Sequence, residues 1–212
     1  MNRAIIFANG ELADPETALA LIQPGDLILA ADGGSLHCRA LGLVPHWVIG
    51  DLDSLSAADR AALERAGTSF ELYPIHKAET DLELALRAAL HEGAREIVIL
   101  GGLGGRWDQS LANLLLLAHP DFAALDVRLV DGRDTFWIVR ERLTVPGQPG
   151  DTLSLMPLAG DAEGVTLSGL EYLLHDETLR FGFTRGISNV LTAEAASITV
   201  RRGLLLAVHS RK

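Results

Sequence analysis

Apolar and polar positions alternate in two different ways along the chain. Up to about residue 130, short apolar runs at 3–8, 27–31, 47–49, 69–73, 96–100 and 126–130 read as strands, separated by stretches of helical period. Asp14 as N-cap with Pro15 at the first helical position opens one helix, and Gly25, preceded by Pro24, is expected to end it. Residues 35–41 form a second helix and 56–66 a third, closed by Gly67. Thr80 and Glu83 form a capping box ahead of the clearest amphipathic stripe, Leu82, Ala85, Leu86, Ala89 and Leu90. Residues 108–118 make a further helix, with Asp108 as its expected N-cap. Strands alternating with helices in this way predict an α/β domain with a mostly parallel, doubly wound sheet.

Beyond Arg133 the period changes. Residues 135–139, 142–145, 152–157, 164–167, 196–201 and 204–209 are short and strand-like, many are separated by Gly or Pro, and no long helix intervenes. That pattern predicts a small all-β, sandwich-like domain. The boundary falls between 131 and 141, giving an α/β domain over 1–135 and a β domain over 136–212. No solenoid-length repeat or low-complexity tract interrupts either part.

Composition narrows the partners. Hydrophobic residues make up 48%, and 18 basic against 28 acidic residues leave a formal charge of −10. Without a basic cluster, nucleic acid is not an expected partner, because phosphate neutralisation needs a positive footprint. An anionic nucleotide would instead require a divalent cation or a local concentration of Lys and Arg. Cys38 is the single cysteine, so an internal disulfide and a cysteine-based zinc site are excluded. The apolar run 4–8 is too short for a signal-peptide core and no later run reaches membrane-spanning length, so a cytoplasmic chain without a membrane partner is expected.

The acidic residues sit where strands end. Asp32, followed by Gly33 and Gly34, comes directly after 27–31; Asp51 and Asp53 follow 47–49; Asp81 opens the capped helix after 69–73. Ligands of an open α/β sheet bind outside the carboxyl ends of its strands. Asp51-Leu52-Asp53 alone is explained by a solvated turn. With Asp32 and Asp81 at neighbouring strand ends, the loop reads as a wall of a magnesium site, since oxygen ligands two residues apart can share one hard cation. The run Gly101-Gly102-Leu103-Gly104-Gly105-Arg106 can bring backbone N–H groups and a guanidinium to phosphate, though it is neither a Walker A loop nor a dinucleotide fingerprint. Lys77 is a local counter-charge, Asp131-Gly132 a turn, and Ser188-Asn189, taken alone, a polar turn of the β domain. The seven histidines have no metal-ligand spacing.

In order, Asp32-Gly33-Gly34, PHWVIGDLDS (45–54), Thr80-Asp81, GGLGGRWDQSLAN (101–113), Gly186-Ile187-Ser188-Asn189 and the apolar 203–208 resemble the thiamine pyrophosphokinase family over nearly the whole chain. The resemblance implies transfer of pyrophosphate from ATP to the hydroxyl of thiamine, giving AMP and thiamine diphosphate. It implies a homodimer in which the β domain of one chain closes the thiamine site of the other. Carried over by position, Asp51, Asp53 and Asp81 would hold Mg2+ and serve catalysis. Asp32, Gly33, Gly34, Lys77, Thr80, Gly104, Gly105 and Arg106 would bind nucleotide or phosphate. Asp108, Gln109, Ser188 and Asn189 would contact substrate.

One position departs from that pattern: Ala78 stands where the family usually has an aspartate, which puts a second metal in doubt. Two alternatives remain open, a pyrophosphokinase for another small alcohol such as a pterin, and a non-catalytic thiamine- or nucleotide-binding module. An NAD-binding Rossmann protein fails, because the glycine run lacks the fingerprint and follows a late strand.

Overall fold

The apolar runs 4–7, 27–31 and 97–100 are continuous because both faces of their strands are covered. A computed structural model describes residues 2–212 and divides them into two units, one ending at Gly132 and the other Arg133–Lys212. In the first, β1 (Arg3–Phe7), β2 (Leu27–Ala31), β3 (Trp47–Gly50), β4 (Ser69–Leu72), β5 (Glu96–Leu100) and β6 (Asp126–Asp131) pair in parallel in the order 6-5-1-2-3-4. β2 is buried along its whole length, and β1 and β5 at all but their first residue, as expected for strands of a doubly wound sheet. The order reverses between β1 and β5, which makes that gap the topological switch point.

The helices follow their caps, with three differences. α1 (Pro15–Leu21) starts on Asp14, whose carboxylate accepts the N–H of Glu16 and Thr17. It stops before Gly25, with Ile22 already extended; Pro24 bars helical backbone from the residue before it, so the chain leaves the helix early. α2 (Gly34–Ala40) packs on β1 and β2, and α3 (Ala57–Ala66) runs from Ser56 to a left-handed Gly67. α4 (Asp81–His91) is capped by Thr80 Oγ1, which accepts the N–H of Glu83. The Glu83 carboxylate turns forward to Arg87, bonding it at 2.7 and 3.1 Å, because a guanidinium one turn on is a stronger partner than a neutral N–H. α4 crosses β2, β3 and β1 with Leu82, Leu84, Ala85, Leu86 and Ala89 buried. α5 (Trp107–Leu116) begins one residue before the expected cap: Arg106 holds the cap position without a side-chain bond, and Asp108 lies inside the first turn, paired with Arg106. Cys38 is buried, and burial pushes its thiol up to about 12.

The second unit is antiparallel. β7 (Asp134–Val139), β9 (Thr152–Pro157), β12 (Asn189–Val190) and β14 (Leu205–Ser210) form one sheet in the order 12-9-14-7. β8 (Arg142–Pro146), β10 (Ala162–Ser168), β11 (Glu177–Leu179) and β13 (Ala195–Thr199) form the other, in the order 11-10-13-8. Val139, Leu153, Leu155, Leu205 and Ala207 from the first sheet and Val145, Leu167 and Ile198 from the second belong to one core, which makes the unit a sandwich. The short β11 and β12 have no periodicity in the sequence and are seen only through their pairing. Among the described residues, no helix is long and apolar enough to cross a membrane.

Candidate active site

The switch point and the strand ends beside it open into one pocket of about 750 Å3 within the first unit. Its walls are the residues after β1 (Ala8 to Glu11), Asp32 after β2, the loop carrying Asp51, Asp53 and Ser54 after β3, the segment 77–82, the glycine run, and Gln109 and Asn113 of α5. Of the residues nominated by sequence, Asp32, Asp51, Asp53, Lys77, Thr80, Asp81, Gly104, Gly105, Arg106 and Gln109 line it together. Gly33 and Gly34 are buried behind it. A Cβ on Gly34 would lie 2.0 Å from the Phe7 carbonyl oxygen and one on Gly33 2.2 Å from Asn9 Oδ1, so these glycines let the start of α2 press against the end of β1. Asp108 is exposed, and the Arg106 guanidinium beside it holds its carboxyl below the usual carboxylate range. Ser188 and Asn189 belong to the second unit. Both polar atoms of the Asn189 amide bond the backbone of Tyr172, at 2.7 and 2.9 Å.

Three carboxylates converge. Asp32, Asp51 and Asp53 each offer an oxygen within 4.8 Å of the others. Asp32 is only 5% exposed, and its Oδ1 is buried without a hydrogen-bond partner among the described residues. Burial raises its pKa; bonds from Ser54 and Gly33 act against this, and the charges of Asp81 and Asp53 add to it. Buried acceptors are ordinarily satisfied, so an orphaned carboxylate oxygen beside two further acids fits a hard cation such as magnesium. Backbone geometry supports the cluster: Asp32 and Leu52 have φ of +44° and +61°, and Gly50 has φ of +148°. A Cβ on Gly50 would stand 2.9 Å from Asp81 Oδ1 and 3.1 Å from Asp32 Cβ.

Asp81 is held differently. Its Oδ1 stands at ion-pair distance, 2.8 Å, from Lys77 Nζ, yet like Asp32 Oδ1 it is buried without a well-aligned hydrogen bond among the described residues, and the same ammonium lies 3.9 Å from Asp51 Oδ2. Burial alone would lower the pKa of Lys77, but the bond to Asp81 and the charges of Asp81, Asp51 and Asp32 leave it raised.

The glycine run is anchored by its own neighbours. Gly10 N–H donates to the Gly101 carbonyl and Glu11 N–H to that of Leu103, both at 2.7 Å. Any side chain at Gly10 would collide with the Leu103 oxygen at 2.3 Å. Glu11 Oε1 accepts the N–H of Gly105 at 3.2 Å, Ser110 Oγ that of Gly104 at 3.1 Å, and the Asn113 amide donates to the Gly102 carbonyl at 2.7 Å. A phosphate would therefore replace Glu11 at Gly105 rather than enter an open cradle. Asn9, Gly10 and Glu11 were not among the sequence candidates. The signal was there: they directly follow the first strand, the same rule that singled out Asp32 and Asp51.

Chemically, the arrangement offers a hard-cation site walled by two strand ends, with one ammonium and one guanidinium for phosphate. No nucleophilic side chain paired to a base is needed for such a site. The family model described as thiamin pyrophosphokinase, catalytic domain, matches residues 19–129, and that described as thiamin pyrophosphokinase, vitamin B1 binding domain, matches 140–205. Thiamine pyrophosphokinase of Bacillus subtilis (strain 168) is 29% identical over 191 residues, 87% of each chain. The crystal structure of thiamine pyrophosphokinase from Bacillus subtilis aligns with a TM-score of 0.87 at 27% identity, over 100% of both chains. Thiamin pyrophosphokinase from Candida albicans aligns with a TM-score of 0.84 over 100% of this chain and 89% of that one; at 14% identity the likeness is one of fold.

Proposed function

The chain belongs to the thiamin pyrophosphokinase family, and from that premise we propose that it transfers pyrophosphate from ATP to thiamine. The thiamine hydroxyl oxygen bonds the β-phosphorus, the bond from that phosphorus to the α–β bridging oxygen breaks, and AMP leaves with the oxygen while the hydroxyl proton is released. The observation that carries this reading is the match of one family model to each unit, with the carboxylate cluster inside the catalytic one.

An acidic pocket repels a polyphosphate, so the reading requires a cation. Asp32, Asp51 and Asp53 fit one, with Asp81 close by. When bound, magnesium would draw charge from the phosphate oxygens. The chain's own groups do the positioning. Lys77 and Arg106 lie on the pocket wall to meet phosphate oxygens, and the Thr80 hydroxyl, while capping α4, keeps its own proton to donate. Gln109 faces the same space. Positioning and charge neutralisation are what a loose phosphoryl-type transition state demands.

Ser188 and Asn189 are proposed as thiamine contacts supplied by the partner of a homodimer. Ser188 is exposed with φ of +58°, whereas Asn189 would have to release Tyr172 to bind. The support for a partner is apolar surface: Trp107, Leu111 and Leu115 recur each turn along the exposed face of α5, with Trp107 89% exposed. Phe181 and Phe183 are similarly exposed on the second unit. The deciding assay incubates the full chain with ATP, magnesium and thiamine and separates the nucleotides. AMP with thiamine diphosphate, dependent on thiamine and magnesium, is expected; ADP, or no turnover with any of several divalent metals, overturns the reading.

A further inference from the structure

We propose that Glu11 is a specificity-determining residue of the pocket: its carboxylate is the chain's own anion on the glycine run, and it keeps bare phosphate off that run more strongly than it does a cation-bound phosphate chain. The inference rests on the reading that the glycine run meets phosphate. Its own observation is that the run is already occupied. Glu11 Oε1 accepts the N–H of Gly105 at 3.2 Å, and both residues line the pocket. The guanidinium of Arg106, the next residue, is bonded to Asp108 at 2.5 and 3.2 Å. Two of the groups by which the run would hold phosphate are thus each taken by a carboxylate of the same chain.

The fold places Glu11 there. Its backbone forms an isolated bridge to Leu103, with its N–H on the Leu103 carbonyl at 2.7 Å. Its side chain then lies across Gly104: a Cβ at that position would stand 2.7 Å from Glu11 Cβ and Cγ and 2.8 Å from its carboxyl carbon. Gly104, with φ of +89°, therefore makes room for the glutamate, and its own N–H is turned to Ser110 Oγ at 3.1 Å. Nothing lies within 4 Å of where a Cβ on Gly105 would be, so a ligand arriving there meets the carboxylate rather than bulk. A phosphate oxygen that takes the Gly105 N–H exchanges one charge-assisted bond for another and gains little. The displaced carboxylate stays tethered beside it, and the two anions repel. That repulsion scales with the charge of the ligand, so a phosphate chain that carries a divalent ion meets less of it than a bare one.

The test titrates the full chain with inorganic pyrophosphate in a calorimeter, once in EDTA and once with excess magnesium. In EDTA, Glu11→Ala should bind pyrophosphate about tenfold more tightly than the unaltered protein, because a charge-assisted competitor is gone. Glu11→Gln should gain about threefold, since its neutral oxygen still bonds Gly105 but at about half the strength. With magnesium present, both gains should be smaller. Circular dichroism identifies a variant that fails to fold, and the other then decides. If Glu11 merely held the loop in shape, both variants would bind more weakly. That result, unchanged affinity or no measurable binding in both variants, or an equal gain with magnesium, overturns the assignment. Assay of the same preparations with ATP, thiamine and magnesium separates the two readings. Tighter pyrophosphate binding without AMP formation rejects the kinase and keeps Glu11 as the competing anion, whereas AMP formation with unchanged pyrophosphate affinity does the reverse.

Discussion

Gly50 shows how much one residue can set. It sits at the end of β3 with φ of +148°, and the space a methyl group would need is filled by Asp81 and Asp32. Gly50→Ala should reduce turnover by about 100-fold, the scale of an ångström-level displacement of catalytic groups. Measurement of kcat/KM alongside circular dichroism separates this from unfolding; full activity would show that the carboxylates tolerate being pushed apart. Asp53 tests the metal wall more directly. It is exposed, and exposed polar substitutions usually change stability by no more than about 0.5 kcal/mol. Asp53→Asn should therefore abolish turnover with an almost unchanged melting temperature. At this scale the sequence was informative about identity but not about grouping. It placed Asp32, Asp51, Asp53 and Asp81 at neighbouring strand ends; the folded chain brings oxygens of Asp32, Asp51 and Asp53 within 4.8 Å of one another and sets Asp81 Oδ1 2.8 Å from Lys77 Nζ. No local spacing could say which carboxylate an ammonium several residues away would take.

Among elements, the strand β14 depends on a polar anchor. Asp151, just before β9, is buried and accepts the N–H of Gln148 and of Lys212, each at 2.9 Å, while its Oδ2 meets His209 Nε2 at 2.9 Å. Burial alone would raise its pKa, but the backbone bonds and His209 hold it below the ordinary carboxylate range. A depressed native pKa contributes stability that is present above the unfolded value, about 4, and is lost as pH falls through the lower native value. The protein should thus lose this contribution below about pH 4. Asp151→Asn should cost about 1–2 kcal/mol at neutral pH and show a shallower acid limb. Urea titrations at several pH values check both; parallel acid limbs would count against the anchor. The elements themselves were largely legible. Residues 27–31, 96–100 and 152–157 coincide with β2, β5 and β9, because strands buried on both faces leave a continuous apolar run, as in β2 and β5, and a strand buried on one face leaves an alternating one, as in β9. Asp108 as a cap was misleading: an acid in the first turn looks the same in sequence whether it caps a helix or pairs with an arginine.

For the molecule as a whole, the exposed apolar stripe of α5 and the exposed Phe181 and Phe183 are more surface than isolated apolar residues explain. Sedimentation of the full chain at micromolar concentration should report a dimer, and Leu111→Glu or Phe183→Glu should shift it toward monomer and lower turnover together. A monomer with full activity would remove the partner from the proposed site.

The sequence by itself determined the α/β-then-β architecture, the strand-end position of the acids and the family, because periodicity and turn chemistry are local and the motifs occur in order. It could not determine which loops meet. The clasp between Gly10 and the glycine run and the Glu11 carboxylate on Gly105 arise only once the reversal of strand order sets β1 beside β5. These are contacts between segments up to about ninety residues apart in the chain, and their energies depend on distances that only the folded backbone sets.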